Sequence, residues 1–191
     1  MDELGPKCLP LAMSEYVFAL QQNGWKSERT PTYMGKNDVD FSIFCYTCPS
    51  GMGFWYPARC LGFVFPLDLT TSSPGIFYFE VLTVVSAIHW AVQNLPLQPC
   101  SRLAIYTDNS NTVNMFNTLH AQPLYNPLLI TVVEILLLSK THLRVFHVPG
   151  DENIVADGLS RSHYDSVFHL VPTLQVYNFI PPRLTLGAEV L

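Results

Sequence analysis

Apolar and polar residues alternate along DVDFSIFCYT (38–47), which predicts a β-strand. GFWYP (53–57) and LGFVF (61–65) read as two more strands, and the short turns between the three predict an antiparallel meander. In IFYFEVLTVVSAIHWAVQN (76–94) the pattern changes period. Phe77, Val81, Val84, Val85, Ile88 and Val92 recur at helical spacing, and LPLQPCS ends the run. RLAIYT (102–107) predicts a strand, NSNTVNMFNTLH (109–120) a helix, and 128–140 a second helix after a turn bracketed by Pro123 and Pro127. LRVFHV (143–148) is a strand closed by Pro149-Gly150, and ENIVADGLSR (152–161) a short helix. Upstream, SEYVFALQQNGW (14–25) has a serine cap and a glycine stop and predicts a short helix. Residues 162–191 carry no strong periodicity. The order β-β-β-α-β-α-α-β-α predicts a mixed α/β fold: five strands, three antiparallel and then two parallel, flanked by helices that supply the crossovers.

Composition narrows the class. The chain has 191 residues, 49% hydrophobic and 13% charged, which suits a globular domain with a sizeable core. Its net charge of −5 and its ten scattered Lys and Arg residues give no basic footprint for nucleic acid. Any such role has to draw on metal ions or a neighbouring domain. Five cysteines, at 8, 45, 48, 60 and 100, lack regular spacing. They predict reduced thiols in an intracellular protein with no disulfide-linked partner. MDELGPKCLP has no apolar core and predicts no signal peptide. The greasiest run, PLLITVVEILLLS (127–139), is short and contains Glu134, so it reads as a core helix and no membrane partner is expected.

The acids sit where chemistry is expected. Asp108 ends a strand, where open α/β sheets bind ligands. Glu80 lies in the first turns of the helix that comes after the meander, and Asp157 on the last short helix. Neighbouring strands can gather such acids, and gathered acids call for hard divalent cations. Each acid has a plainer reading: Asp108 as a helix cap, Glu80 as a solvated helix residue or one favoured by the N-terminal end of the helix dipole, Asp157 as surface.

IFYFEVLTVVSAIHWA, LAIYTDNSNTVNMF and LRVFHVPGDENIVADGLSR, in that order, resemble the ribonuclease H domain of retroelement reverse transcriptases, closest to fungal retrotransposon polyproteins. HVPG-x-x-N-x-x-AD-x-LSR (147–161) is the most specific part. The resemblance covers about residues 38 to 161, leaving an N-terminal extension (1–37) and a C-terminal tail (162–191), and no polymerase motif is present. It implies a five-stranded ribonuclease H-like sheet and a site of four carboxylates holding two Mg²⁺ or Mn²⁺ ions. The ligand would be an RNA–DNA hybrid, cut in its RNA strand, and the partner a reverse transcriptase domain. By position, Glu80, Asp108 and Asp157 are three catalytic and metal-binding acids; Asn109, Asn153 and Arg161 would meet nucleic acid.

The family's first Asp stands in a D-A-S before a glycine-containing turn. Matched to Cys48-Pro49-Ser50-Gly51, that Asp is replaced by Cys48. A thiol is mostly neutral at pH 7, the neighbouring acids would disfavour its thiolate further, and sulfur is a poor Mg²⁺ ligand. The expectation is an impaired enzyme, or an inactive scaffold or binding module left from a retroelement. Asp40 is roughly 26 Å up the strand and cannot substitute; Asp68 and Asp151 are not indicated. Cys45-x-x-Cys48 as a zinc or redox pair lacks a second pair and a helix start. His147 reads as a partly buried structural histidine, and His163 as a weak candidate for proton transfer.

Overall fold

The computed structural model describes residue 35, residues 38–67 and residues 75–182. The expected helix at 14–25, Asp68, most of the loop at 65–75 and the last residues of the tail lie outside them. In chain order the elements are β1 (Phe41–Cys48), β2 (Gly51–Tyr56), β3 (Leu61–Pro66), α1 (Ile76–Asn94), β4 (Arg102–Thr107), α2 (Ser110–Thr118), α3 (Asn126–Ser139), β5 (His142–His147), α4 (Ile154–Ser160), α5 (Tyr164–Leu170) and β6 (Gln175–Asn178).

One mixed sheet runs β5-β4-β1-β2-β3-β6. β1, β2 and β3 form the expected antiparallel meander, with Tyr46 opposite Gly53 and Phe54 opposite Phe63. β4 lies parallel to β1, with Phe44 beside Tyr106, and β5 parallel to β4. To the five expected strands the structure adds β6, parallel to β3 with Phe63 beside Tyr177. Residues 164–178, unreadable by periodicity, thus supply a helix and an edge strand.

Alternation sends Ile43, Cys45 and Thr47 of β1 to the side covered by α1, where Thr47 Oγ1 lies 2.8 Å from Thr83 Oγ1. α1 is apolar enough for a bilayer span by length and composition. It serves instead as the core helix, burying ten residues from Phe79 to Ala91. Its Trp90 packs over β2 and β3, 4.7 Å from the Phe63 ring, which stacks on Phe54 at 4.7 Å. Such aromatic contacts add stabilisation beyond area burial.

α4 covers the other side of β1–β3, and two glycines let it approach. A Cβ at Gly51 would stand 2.5 Å from Ser160 O, and one at Gly53 2.8 Å from Ser160 N. Asn153, just before α4, is 2% exposed and donates from Nδ2 to Cys45 O at 2.8 Å. These contacts fix the height of α4, and with it Asp157, above β1.

Candidate active site

β1 and β4 run side by side, so the residues just past their last paired positions converge. Continuing the Phe44–Tyr106 register by two residues sets Tyr46 beside Asp108, on the α4 side. Asp108 Oδ2 and the Tyr46 hydroxyl lie 3.8 and 4.0 Å from one point above Gly150. Burial, and then the Asp108 charge, push the Tyr46 phenol above its ordinary value of 10.0; a hydrogen bond with Arg161 partly offsets them. Tyr46 is therefore neutral at physiological pH.

Arg161 ties this position to the last acid. Its Nε donates to Asp157 Oδ1 at 2.7 Å, and its guanidinium carbon lies 5.9 Å from the Tyr46 ring centroid. The hydrogen bonds to Asp157 and then Tyr46 raise the Arg161 pKa further, so it stays charged.

Glu80 enters from the second turn of α1. Burial, and then the charge of Asp108, push its carboxyl up to about 7. The Asn109 side-chain amide donates to Glu80 Oε2, while Asn109 Oδ1 caps α2 by accepting from Thr112 N at 2.9 Å. Asp108 is raised chiefly by burial; a backbone hydrogen bond and the nearby His147 lower it, and Asp157 adds to the rise. Asp108 thus feels the charge of Asp157, and its own charge acts on Glu80.

The structure brings Glu80, Asp108 and Asp157 to one end of the sheet but does not close them into a metal clamp. Among the described residues no three His, Cys, Asp or Glu side chains are arranged to hold a metal ion. On β1 the residue beside Asp108 is Tyr46, not Cys48. Cys48 points to the same side two residues farther on, 2% exposed, 3.0 Å from Ser50 Oγ, and donates to Ser160 O at 3.3 Å. Burial pushes its thiol up, but hydrogen bonds with Ser160, Ser50 and the Ser50 and Gly51 backbone outweigh this and leave it below its ordinary value. The expected repulsion by carboxylates has no part in it. The signal for Tyr46 is present in the sequence: Tyr46-Thr47-Cys48 fills the D-A-S places directly before the Pro49-Ser50 turn.

Two other expectations are corrected, for Asn153 and His147, and the remaining residues lie as follows. Asn153 is buried against β1 and cannot meet nucleic acid. Asn109 is engaged with Glu80 and the α2 cap, whereas Arg161 is exposed. His147 is exposed rather than partly buried. His163 is an exposed residue leading into α5. Asp40 pairs with Arg102 at 3.3 Å, at the opposite end of β1.

No family model matches the chain, and no curated protein matches it significantly. Among solved structures it is similar to LC11 ribonuclease H1 from a compost metagenome, solved with an RNA/DNA hybrid. There the identity is 12% and the TM-score 0.48, over 67% of this chain and 99% of that one. Ribonuclease H1 of Halobacterium salinarum aligns at 11% identity and TM-score 0.47, over 66% and 98% of the two chains. The N-terminal ribonuclease H domain of a Mycobacterium tuberculosis protein aligns at 14% and 0.44, over 69% and 99%. Likeness at this level transfers no residue roles.

Proposed function

We propose that the chain is a ribonuclease H-like domain of retroelement descent that has lost two-metal hydrolysis and acts as a nucleic-acid-binding or scaffold module. One observation carries the reading: Tyr46 stands beside Asp108, where the first metal-bridging carboxylate belongs, and it engages Arg161. A neutral phenol offers one oxygen and no negative charge, whereas bridging two Mg²⁺ ions takes a carboxylate. Asp157 already has a cation in Arg161. The donor set does not fit a metal pair, so no hydrolytic step is assigned to it. Loss of that bridge raises the barrier by several kcal/mol, on the order of a thousandfold or more in rate. The motif resemblance makes an RNA–DNA hybrid the favoured ligand. A reverse transcriptase domain would supply the positive charge that a chain of net charge −5 lacks. Irregularly spaced thiols favour an intracellular setting.

The test is cleavage and binding of a labelled hybrid with Mg²⁺ or Mn²⁺, by the wild type, Tyr46→Asp and Cys48→Asp. The wild type binds the hybrid at low salt and shows no metal-dependent cleavage; Tyr46→Asp gains cleavage and Cys48→Asp does not. Wild-type cleavage that disappears in Glu80→Gln would overturn the loss of hydrolysis. Failure to bind hybrid at low salt would overturn the nucleic-acid assignment.

A further inference from the structure

Lys and Arg are scattered along the sequence, but the fold gathers them. Among the described residues there are five: Arg59, Arg102, Lys140, Arg144 and Arg161. Arg161 belongs to the acid cluster. Arg102 opens β4, Lys140 comes just before β5 and Arg144 lies on it, so these three meet at the end of the sheet opposite the acids. Arg102 has Asp40 as a partner; Arg144 and Lys140 have no ion-pair partner among the described residues.

The same strands carry an aromatic row. Phe44, Tyr106 and Phe146 stand side by side across β1, β4 and β5, on the side that Tyr46 and Arg144 share. Phe44 stacks on Tyr106 at 4.6 Å and Tyr106 on Phe146 at 5.4 Å. Phe146 ends the row, about 7 Å along β5 from Arg144; it is half-buried and has no second ring partner among the described residues. α4 covers β1, β2 and β3 on this side, while α2 and α3 pack on α1 across the sheet, so no described helix covers β4 and β5 here. Ala104 and Tyr106 are buried beneath their neighbours, and Phe44, Arg144 and Phe146 form a half-exposed surface above them.

We propose, on the nucleic-acid reading above, that this face of β4 and β5 binds a single strand of nucleic acid, with Arg144, Lys140 and Arg102 on its phosphates and Phe146 stacked on a base. Charge selects the place. At the other end Glu80, Asp108 and Asp157 repel phosphate, whereas here three cations outnumber Asp38 and Asp40. An aromatic ring beside cations is the combination that holds single strands, because every base has a face to stack. A duplex keeps its bases stacked inside and offers Phe146 none.

The test uses the full chain, titrated at several salt concentrations with a labelled oligothymidylate of about twelve nucleotides, an abasic strand of the same length and a blunt hybrid. Arg144→Gln is expected to weaken oligothymidylate binding several-fold and to lower the salt slope by about 0.7, the contribution of one phosphate contact, and Arg144→Lys to restore the slope. Phe146→Leu is expected to bring oligothymidylate down about tenfold, to the level of the abasic strand, with the slope unchanged. If Arg144→Gln does not fold, Arg144→Lys and Phe146→Leu carry the test. Binding that weakens in Arg161→Gln but in neither Arg144→Gln nor Phe146→Leu would overturn this inference and leave the nucleic-acid reading standing. Equal competition by polyglutamate would show a face for acidic protein and overturn it too. No binding of strand or hybrid at low salt would overturn both.

Discussion

Replacing Glu80 by Gln tests the electrostatics of the acid cluster directly. The Glu80 carboxyl is pushed from an ordinary 4.5 up to about 7, first by burial and then by Asp108. The folded protein thus holds this proton more tightly than the unfolded chain does. Below about pH 4.5 both states are protonated and Glu80 costs nothing. As pH rises from 4.5 through 7 the unfolded state releases its proton first, so stability falls across that window and levels off above it. The full shift would correspond to about 3 kcal/mol. Glu80 is only partly buried, and solvent screening reduces the expected loss to about 1–2 kcal/mol. Gln carries no charge and can still accept from the Asn109 amide. Glu80→Gln should therefore be more stable than wild type at pH 8 by about 1–2 kcal/mol, a Tm higher by roughly 2–8 °C for a chain of this size, and equal to it at pH 4. Urea unfolding at pH 4, 6 and 8 measures the difference. Equal stability at pH 8, or an offset that does not change with pH, would refute the reasoning.

The seat of α4 on the sheet sets two packing predictions. Gly53→Ala would place a Cβ 2.8 Å from Ser160 N and 3.0 Å from Ala156 O, both backbone atoms, so the helix must lift; urea titration should show a loss of about 2–3 kcal/mol, and a loss under about 0.5 kcal/mol would mean that α4 is not pressed on β2. Asn153→Ala removes a buried bond to Cys45 O and should cost about 1–3 kcal/mol by the same measurement, whereas an unchanged midpoint would leave Asn153 free to face a ligand.

Long elements are legible because their periodicity repeats. The helix at 76–94 and the strand at 102–107 fall on α1 and β4 residue for residue. α5 and β6, with seven and four residues, are too short for a period to show, and β6 keeps most of its residues exposed. The site shows a sharper limit. The motif points to Glu80, Asp108 and Asp157, which lie at one end of the sheet, but it matches β1 at Cys48, two residues past the position beside Asp108. Strand side chains alternate with period two, so Tyr46 and Cys48 share a face, and alternation alone does not separate them. The pairing of Phe44 with Tyr106, a contact across 62 residues of chain, does, and it agrees with the D-A-S spacing before the turn. Asn153 misleads for a related reason. A polar residue before a short helix suggests exposure, and only the approach of α4 to β1 buries it.

An acid cluster without cations must discharge or spread apart. Here each acid has its own relief. Glu80 is raised to about 7, so it is mostly protonated in mildly acidic solution and about half protonated at neutral pH, with the Asn109 amide on one oxygen. Asp157 has Arg161 at 2.7 Å. Asp108, between them, has a backbone hydrogen bond and the exposed His147. Tyr46 adds no charge to the cluster and gives Arg161 a ring to rest on. The three acids can therefore stay together without divalent ions, which a site with a fourth carboxylate on β1 could do only at greater electrostatic cost. On this argument Tyr46→Asp should make the fold's stability depend on Mg²⁺ or Mn²⁺, where the wild type's does not: a divalent-dependent rise in Tm confined to the variant is the expected result, and an equal rise in the wild type would show that the remaining acids bind metal after all.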